Sequence, residues 1–179
     1  MKHIWSPWRM KFIEDAHKGR GCVFCGRRRR KTEVGSRKNL ILYFGEFCFV
    51  MMNKYPYNNG HLMVIPYAHK SEISDLNAGV QQELIYLTGE SVRILKKVLR
   101  CAGANCGMNI GKVAGAGIAN HVHMHVVPRW QGDSNFMPVI GNAKSMPEYL
   151  KTTYKRLKPE FDKLGVVKNA TFQGVVKNA

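Results

Sequence analysis

The sequence predicts a single domain in which a β-sheet is covered by one long helix. The 179-residue chain is long enough to bury a substantial hydrophobic core within one domain. Short apolar runs bounded by turn residues, at positions 40–43, 47–52 and 61–65, predict strands. From Asp75 to about Cys101, apolar residues recur at helical spacing, which predicts the helix that covers the sheet.

The remaining elements of the first half follow from local signals. Ser6 and Pro7 suit the start of a short helix that would end by about Ala16. Residues 44–46 would join the first two strands as a hairpin. Pro66 would stop the third strand, because proline cannot donate a hydrogen bond to a sheet ladder.

The second half is predicted to add two strands and a final helix. Residues 108–110 are expected to form a strand that leads into a glycine-rich turn. The next strand would cover residues 121–127 and end at Pro128. A last helix would start at residues 147–150, and Pro159 is expected to break or kink it.

Residues 121–127 carry the most distinctive pattern in the chain. His121, His123 and His125 alternate there with apolar residues. In a strand, one face would be apolar and the other would present three imidazoles about 6.5–7 Å apart. That spacing is too long for hydrogen bonds between adjacent rings, and it suits three rings that contact different parts of one ligand.

This pattern is suited to phosphoryl transfer. A neutral imidazole is a good nucleophile at neutral pH, and its covalent adducts are labile enough to turn over. Phosphoryl centres carry negative charge, so a histidine nucleophile needs cations or N–H donors around it. Backbone N–H groups at Gly115 to Gly117, just before the histidines, could cradle phosphate oxygens.

Composition restricts the partners and the compartment. Lys and Arg number 28 against 12 acidic residues, a formal charge of +16 that favours nucleotides, nucleic acid or an acidic surface. The chain start lacks a signal-peptide pattern, and no apolar stretch approaches the roughly 20 residues that span a membrane. Five cysteines favour a cytoplasmic protein with reduced thiols. The basic run at 27–31 is expected in a solvated loop, with a nucleic-acid contact as the alternative.

The pair Cys22 and Cys25 has three candidate roles. It could supply half of a zinc site, which needs four ligands, but the sequence holds no second Cys-x-x-Cys motif. Cys101 and Cys106 are expected at a helix end and in a strand, so the missing ligands could be histidines instead. The other roles are reduced thiols or a redox pair, the latter without the βαβ context of thioredoxin-like chemistry.

Several stretches together resemble a known family. Residues 121–127 resemble the His-apolar-His-apolar-His-apolar-apolar signature of the histidine triad (HIT) nucleotide hydrolases and transferases. Residues 53–66 look like the second block of that family, and residues 109–115 look like its phosphate-loop approach. Residues 5–10 and 128–138 are similar to the longer bacterial branch described as diadenosine tetraphosphate phosphorylases, or ATP adenylyltransferases.

The resemblance spans roughly residues 3–150 and implies the architecture. It implies an α+β, HIT-like fold, an antiparallel sheet with one long covering helix and a C-terminal helix, usually paired into a homodimer. Residues 1–179 would be a single domain. An N-terminal extension with the Cys-x-x-Cys pair would cover 1–38, the HIT core 39–140, and the C-terminal helix and tail 141–179.

The resemblance also implies roles for individual residues. His123 would attack the α-phosphorus and form a nucleotidyl-histidine, while His125 and His61 would hold the reacting phosphate or orient His123. The implied nucleotide-binding residues are Asn53 at the ribose and Asn109, Gly115, Gly117 and His125 at the phosphates.

One stretch departs from the family pattern. Other branches often carry Ser or Thr a few residues before the first histidine, whereas residues 114–120 contain no hydroxyl. Phosphate contacts would then fall to backbone N–H groups and Asn120. Further on, Trp130 could stack on a base or pack in the core.

The resemblance supplies candidate ligands for a structural zinc. Some HIT proteins, and the related galactose-1-phosphate uridylyltransferases, bind zinc through two cysteines and two histidines. Carried onto this chain, the ligands would be Cys22, Cys25, His69 and His121. The metal would clamp the start of the triad strand and so position His123 two residues later.

The expected function is cleavage of dinucleoside polyphosphates through a nucleotidyl-His123 intermediate. If inorganic phosphate is the acceptor, diadenosine tetraphosphate yields ATP and ADP. If water is the acceptor, the enzyme is a hydrolase of dinucleoside polyphosphates or nucleoside phosphoramidates. Removal of adenylate from DNA ends is a further alternative that suits the charge of +16, although no Cys2His2 finger follows the triad.

Overall fold

The computed structural model describes residues 21–25, 40–133 and 146–165. Within these residues, five strands form an antiparallel sheet in the order β1-β2-β3-β5-β4. The elements in chain order are β1 (Ile41–Phe44), β2 (Cys48–Met52), β3 (Leu62–Pro66), α1 (Ala78–Leu99), β4 (Gly103–Gly107), β5 (Met124–Arg129) and α2 (Leu150–Asp162). The predicted α+β arrangement, with one long helix and a later helix, is confirmed.

The long helix α1 starts and stops at clear signals. Asn77 caps its first turn, where the side-chain oxygen accepts the backbone N–H of Val80 at 2.9 Å. Arg100 ends the helix in the left-handed conformation, with φ of 53°. The core stripe that faces the sheet consists of Val80, Leu84, Leu87, Ile94, Leu95 and Leu99. The prediction from the helical spacing was therefore correct to within about a turn.

A buried carboxylate joins α1 to the β1–β2 hairpin. Glu83 is 1% exposed, and it accepts backbone N–H groups from Glu46 at 2.8 Å, Phe47 at 2.6 Å and Cys48 at 2.7 Å. A Cβ at Gly45 would lie 2.4 Å from Glu83 Oε1, so the turn needs glycine there. These bonds supply the partners that the turn's donors would otherwise lack.

The two faces of the sheet carry two separate apolar clusters. Successive strand residues point to opposite sides of the sheet, so each strand contributes to both faces. One face packs against α1 and α2. The opposite face carries a smaller cluster, which we call the outer cluster. It consists of Phe24, Ile41, Phe49, Met51, Met63 and Ile65.

Two strand predictions were wrong. Residues 108–110 do not form a strand; β4 lies earlier, directly after α1. Its sequence Gly-Ala-Asn-Cys-Gly has little strand propensity, so its pairing with β5 decides its conformation. The triad strand was expected at 121–127, but β5 begins at Met124 and continues through Pro128. The carbonyl oxygen of Pro128 accepts a hydrogen bond from Asn58 Nδ2 at 3.0 Å, on the side where β3 no longer pairs with β5. The nitrogen of Pro128 faces the same side, so the sheet loses no ladder hydrogen bond at the proline.

Pro159 does not end the last helix as expected, because α2 continues to Asp162. Leu157 and Phe161, on either side of the proline, are fully buried in the core, and this packing offsets the one lost helix bond. By contrast, β3 does end at Pro66 as predicted.

Several predictions concern parts of the chain outside the described residues. These are the helix at 6–16, the basic run at 27–31 and the domain boundary near residue 140. Among the helices that the structure describes, none combines the length and the apolarity needed to cross a membrane.

Candidate active site

The sheet brings four histidines to one region on the face opposite α1. His125 lies in β5 and pairs with Met63, a member of the outer cluster, so its ring points to that face. His121 and His123 precede the strand, and the backbone N–H of Val122 anchors this segment to the carbonyl of Lys70 at 2.7 Å. His61 comes directly before β3, whose pairing with β5 sets it beside His125.

A chain of hydrogen bonds defines the proton positions on two of these rings. The backbone N–H of Tyr57 donates to His61 Nδ1 at 3.1 Å, so in a neutral ring the proton of His61 lies on Nε2. His61 Nε2 lies 2.9 Å from His125 Nδ1 and donates to it. His125 then carries its own proton on Nε2. The ring of Tyr57 also stacks on that of His61, with centroids 4.8 Å apart.

The ring of His123 is oriented by the backbone two residues earlier. Its Nδ1 lies 2.9 Å from the carbonyl oxygen of His121, so Nδ1–H donates and Nε2 keeps a lone pair. Burial lowers the pKa of His123, although the bond to the carbonyl acts in the opposite direction. The ring therefore stays neutral at neutral pH. Such a ring offers a nucleophilic nitrogen.

The rings of His123 and His125 are closer than the strand spacing suggested. Their centroids lie 4.7 Å apart, with an edge-to-face angle of 69°. His123 is 6% exposed and His125 is half-buried. The two rings are therefore direct neighbours, one able to accept through Nε2 and the other able to donate through Nε2–H.

The ring of His121 belongs to a cluster with Cys22, Cys25 and His69, whereas the rings of His123 and His125 contact each other. One donor atom from each of Cys22, Cys25, His69 and His121 lies within 4.8 Å of all the others. Cys22 Sγ is 3.3 Å from His121 Nδ1, and Cys25 Sγ is 3.2 Å from His69 Nδ1. The two Nδ1 atoms are 3.2 Å apart. The strand spacing had suggested three rings around one ligand, and the structure shows that this prediction was wrong, because His121 belongs to the Cys/His cluster.

This cluster has the donors and spacing of a metal site. Zinc bonds of about 2.0–2.1 Å to nitrogen and about 2.3 Å to sulfur, at tetrahedral angles, put ligand atoms about 3.3–3.8 Å apart. His121 Nε2 donates to the carbonyl of Pro66 at 2.9 Å, which leaves the Nδ1 lone pair facing the cluster. Burial lowers the pKa of His121, which favours the neutral ring that binds metals. The cluster could therefore bind a metal ion.

Apart from His125 in β5, the predicted nucleotide-binding residues lie in two loops. Asn53 is half-buried, and its amide nitrogen lies 3.4 Å from His61 Nδ1. Asn109 donates through Nδ2 to the carbonyl of Gly115 at 3.2 Å, which closes one turn of the glycine-rich loop. Gly115 has a φ of 84°, a conformation that glycine adopts readily. Gly117 follows in the same connection to His121.

Sequence reasoning missed several residues around this site. Asn58 connects the loop that starts at Asn53 to the end of β5. Its Nδ2 donates to the carbonyl of Pro128 at 3.0 Å and to Asp133 Oδ2 at 2.9 Å. Phe24 is buried against two of the histidine rings, and its only sequence signal is its position between Cys22 and Cys25. Trp130 packs against the core and donates Nε1–H to the carbonyl of Leu99 at 3.3 Å, which agrees with the packing alternative.

An antiparallel sheet with a neutral histidine, a second histidine ring beside it and an adjacent Cys/His cluster defines a class of α+β proteins with a histidine-based site. Residues 35–132 match the HIT domain, and the chain belongs to that family. A protein named AP-4-A phosphorylase from Mycobacterium tuberculosis is 37% identical over 165 residues, which cover 90% of this chain and 85% of that protein.

Two further relatives extend the comparison. A bis(5'-nucleosyl)-tetraphosphatase (asymmetrical) from Schizosaccharomyces pombe is 28% identical over 103 residues, 58% of this chain and 54% of that protein. A zinc-bound histidine triad family protein from Mycobacterium smegmatis shares the fold. Its crystal structure gives a TM-score of 0.61 at 22% identity, with 87% of this chain and 97% of that chain covered.

Proposed function

We propose that this protein cleaves dinucleoside polyphosphates, such as diadenosine tetraphosphate, through a nucleotide bonded covalently to His123. The observation that carries the proposal is the bond between His123 Nδ1 and the His121 carbonyl, which leaves Nε2 as a nucleophile. The neighbouring N–H of His125 supplies a donor for the charge that develops on phosphorus-bound oxygens.

In the first step, the lone pair of His123 Nε2 attacks the α-phosphorus. A P–N bond forms while the P–O bond to the rest of the polyphosphate breaks, and diadenosine tetraphosphate releases ATP and leaves adenylyl-His123. His125 Nε2–H donates to a phosphate oxygen during this step, and His61 holds His125 in the required tautomer. Asn53 would bind the ribose, and the turn at Asn109 would bind phosphates through its side chain and backbone N–H groups.

In the second step, an acceptor breaks the P–N bond. We favour inorganic phosphate, whose oxygen attacks phosphorus and yields ADP. Support comes from the relative named AP-4-A phosphorylase, which matches most of the chain at 37% identity. The relative named as a tetraphosphatase matches a smaller part, and hydrolysis by water is the alternative.

Product analysis distinguishes the two acceptors. The protein is incubated with diadenosine tetraphosphate with and without phosphate, and the nucleotides are separated by chromatography. Phosphorolysis predicts ATP plus ADP that depends on phosphate, whereas hydrolysis predicts ATP plus AMP. AMP formation under both conditions contradicts the choice of phosphate as acceptor.

Trapping the adduct tests the nucleophile itself. Labelled diadenosine tetraphosphate, quenched early and without phosphate, should leave an acid-labile, alkali-stable label on the peptide that contains His123. His123→Ala should abolish the label and the turnover, with circular dichroism as the check on folding. Substantial turnover by a folded His123→Ala protein contradicts the assignment.

We further propose that Cys22, Cys25, His69 and His121 bind a structural zinc ion. When bound, zinc would fix His121, whose carbonyl orients His123, and a site of reduced cysteines suits the cytoplasm. Elemental analysis of protein purified without added metal should give about one zinc per chain. No zinc after mild purification would count against the site.

We also infer a homodimer formed through the sheet edge. Within the described part of the chain, β4 is an edge strand with exposed residues, which leaves backbone groups for pairing with a second copy. Analytical ultracentrifugation should give twice the chain mass of 20.3 kDa. A proline in place of Asn105 should weaken the dimer, and a monomeric wild-type protein contradicts the inference.

Removal of adenylate from DNA ends remains the second candidate, and the net charge of +16 favours it. Phosphate-dominated DNA binding would weaken steeply with salt. A fluorescence anisotropy titration with nicked duplex at low salt decides this point, because absence of binding there dismisses the candidate.

A further inference from the structure

We propose that Phe24 is a positioning residue that holds the ring of His123 in its reactive orientation. The proposal rests on the proposed function, because it takes His123 as the nucleophile. Phe24 lies between Cys22 and Cys25, so the loop that carries the two thiols also carries this ring to the active site.

The burial of Phe24 is unusual for its loop. Phe24 is 4% exposed, whereas the preceding Val23 is 45% exposed and the following Cys25 is also exposed. Its backbone N–H lies 3.4 Å from Cys22 Sγ, which fixes the start of the turn. The side chain joins the outer cluster with Phe49 and Met63. The loop therefore inserts one aromatic ring into the sheet face that carries the histidines.

Phe24 contacts both the nucleophile and the histidine of the Cys/His cluster. Its ring centroid lies 5.1 Å from that of His123 and 5.3 Å from that of His121, both in edge-to-face geometry. His125 makes a further edge-to-face contact with the ring of His123. Two aromatic neighbours therefore limit the swing of His123.

The hydrogen bond to His123 Nδ1 needs this support. A single bond to the His121 carbonyl fixes one ring atom but leaves the ring able to tilt about it. The opposite nitrogen, Nε2, would move most during such a tilt, and it is the reacting atom. Packing by Phe24 restricts that motion, as neighbouring side chains do when they lock the rotamer of a catalytic group.

The position of Phe24 predicts which kinetic constant it affects. A side chain that is 4% exposed offers almost no surface to a substrate, so its loss should leave KM nearly unchanged. Misplacement of a nucleophile by about 1 Å can lower a rate by about 100-fold, so kcat should fall. A residue with a purely structural role would lower the amount of folded protein instead.

The test compares Phe24→Leu with Phe49→Leu in the full chain. Phe49 belongs to the same outer cluster and is 1% exposed, but its ring contacts are with Phe44 and Tyr67. Phe24→Leu should lower kcat for diadenosine tetraphosphate about 10–100-fold with KM changed less than about threefold. Phe49→Leu, at equal zinc content and confirmed folding, should keep kcat close to the wild-type value.

A spectroscopic measurement tests the same point without activity. In protein with ¹⁵N-labelled imidazoles, the His123 signals, assigned by their loss in His123→Asn, should show a single Nδ1–H tautomer. Phe24→Leu should mix the two tautomers, and Phe49→Leu should not. If Phe24→Leu does not fold, Phe24→Met, which keeps an unbranched apolar side chain, replaces it in both measurements.

The outcomes separate this inference from the proposed function. Unchanged kcat and an unchanged tautomer in Phe24→Leu overturn the positioning role, and so does an equal loss in Phe49→Leu. A wild-type protein with no activity toward dinucleoside polyphosphates contradicts the proposed function. In that case the tautomer measurement still decides whether Phe24 orients His123.

Discussion

Replacement of Glu83 should destabilise the protein far more than its position on a helix suggests. The side chain is 1% exposed and accepts three backbone N–H groups of the β1–β2 hairpin, from Glu46, Phe47 and Cys48. In Glu83→Ala these donors lose their partner. Glu46 lies in the turn and can bind water instead, but Cys48 is fully buried.

The magnitude follows from the donors that stay buried. A buried donor without a partner costs about 1–3 kcal/mol, and this cost falls mainly on the fully buried Cys48, with a smaller share on the half-buried Phe47. Removing the side chain also creates a small void, so Glu83→Ala should cost about 3–5 kcal/mol. Glu83→Gln keeps one acceptor oxygen but turns an amide N–H₂ toward a donor, and it should cost about 2–3 kcal/mol.

Urea unfolding followed by tryptophan fluorescence measures these differences. With a slope of about 1–3 kcal/mol per molar urea, the midpoint of Glu83→Ala should fall by more than about 1 M. The control is Glu90→Gln on the same helix, where the exposed pair with Arg93 at 2.5 Å should contribute less than about 1 kcal/mol. A stability of Glu83→Gln within about 0.5 kcal/mol of the wild type would refute this account of the hairpin.

Three further predictions concern the site and the helices. His61→Ala should lower kcat about 10–100-fold, because His125 loses the donor that fixes its tautomer; a loss under threefold in steady-state assays argues against that role. Chelation of zinc should lower the Tm by about 10 °C, reversibly on zinc addition, whereas Cys25→Ser should show no such response. Hydrogen bonds from Lys163 and, to a smaller extent, Lys97 lower the pKa of Glu160 from 4.5 to about 2. The ionised Glu160 therefore stabilises the fold fully at pH values above 4.5, and this contribution is lost as the pH falls toward 2. Urea titrations from pH 7 to pH 2 should therefore show the gap between the wild type and Glu160→Gln closing, and a constant gap contradicts the pairing.

The predictions from sequence succeeded where the pattern is local and periodic. The stripe from Val80 to Leu99 follows the helical period, so α1 could be located within about a turn. His123 and His125 follow the strand period, so their common face could be predicted even though β5 starts later, at Met124, whereas the ring of His121 joins the Cys/His cluster. The edge strand β4 could not be predicted, because its glycines and Asn105 adopt a strand only through pairing with β5.

The contacts that shape the site depend on residues far apart in the sequence. Phe24 meets His123 across 99 positions, and no local pattern reports such a contact. The ligand set around Cys22 was suggested by family resemblance, since four residues in three separate segments have no fixed spacing. The hairpin turn itself was predicted, but the role of Glu83 in it was missed, because a lone acidic residue on a helix usually faces solvent.

Main-chain atoms set the tautomers of His61, His121 and His123 in this site. The N–H of Tyr57 sets the tautomer of His61, and the carbonyl of Pro66 sets that of His121. The carbonyl of His121 in turn sets the tautomer of His123, so His121 contributes its ring to the Cys/His cluster and its backbone to the orientation of the proposed nucleophile. Because His121 and His123 are two residues apart, this arrangement requires the alternating pattern itself. An inserted residue between them would move the ring of His123 away from the His121 carbonyl, although it would leave every side chain of the site in the sequence.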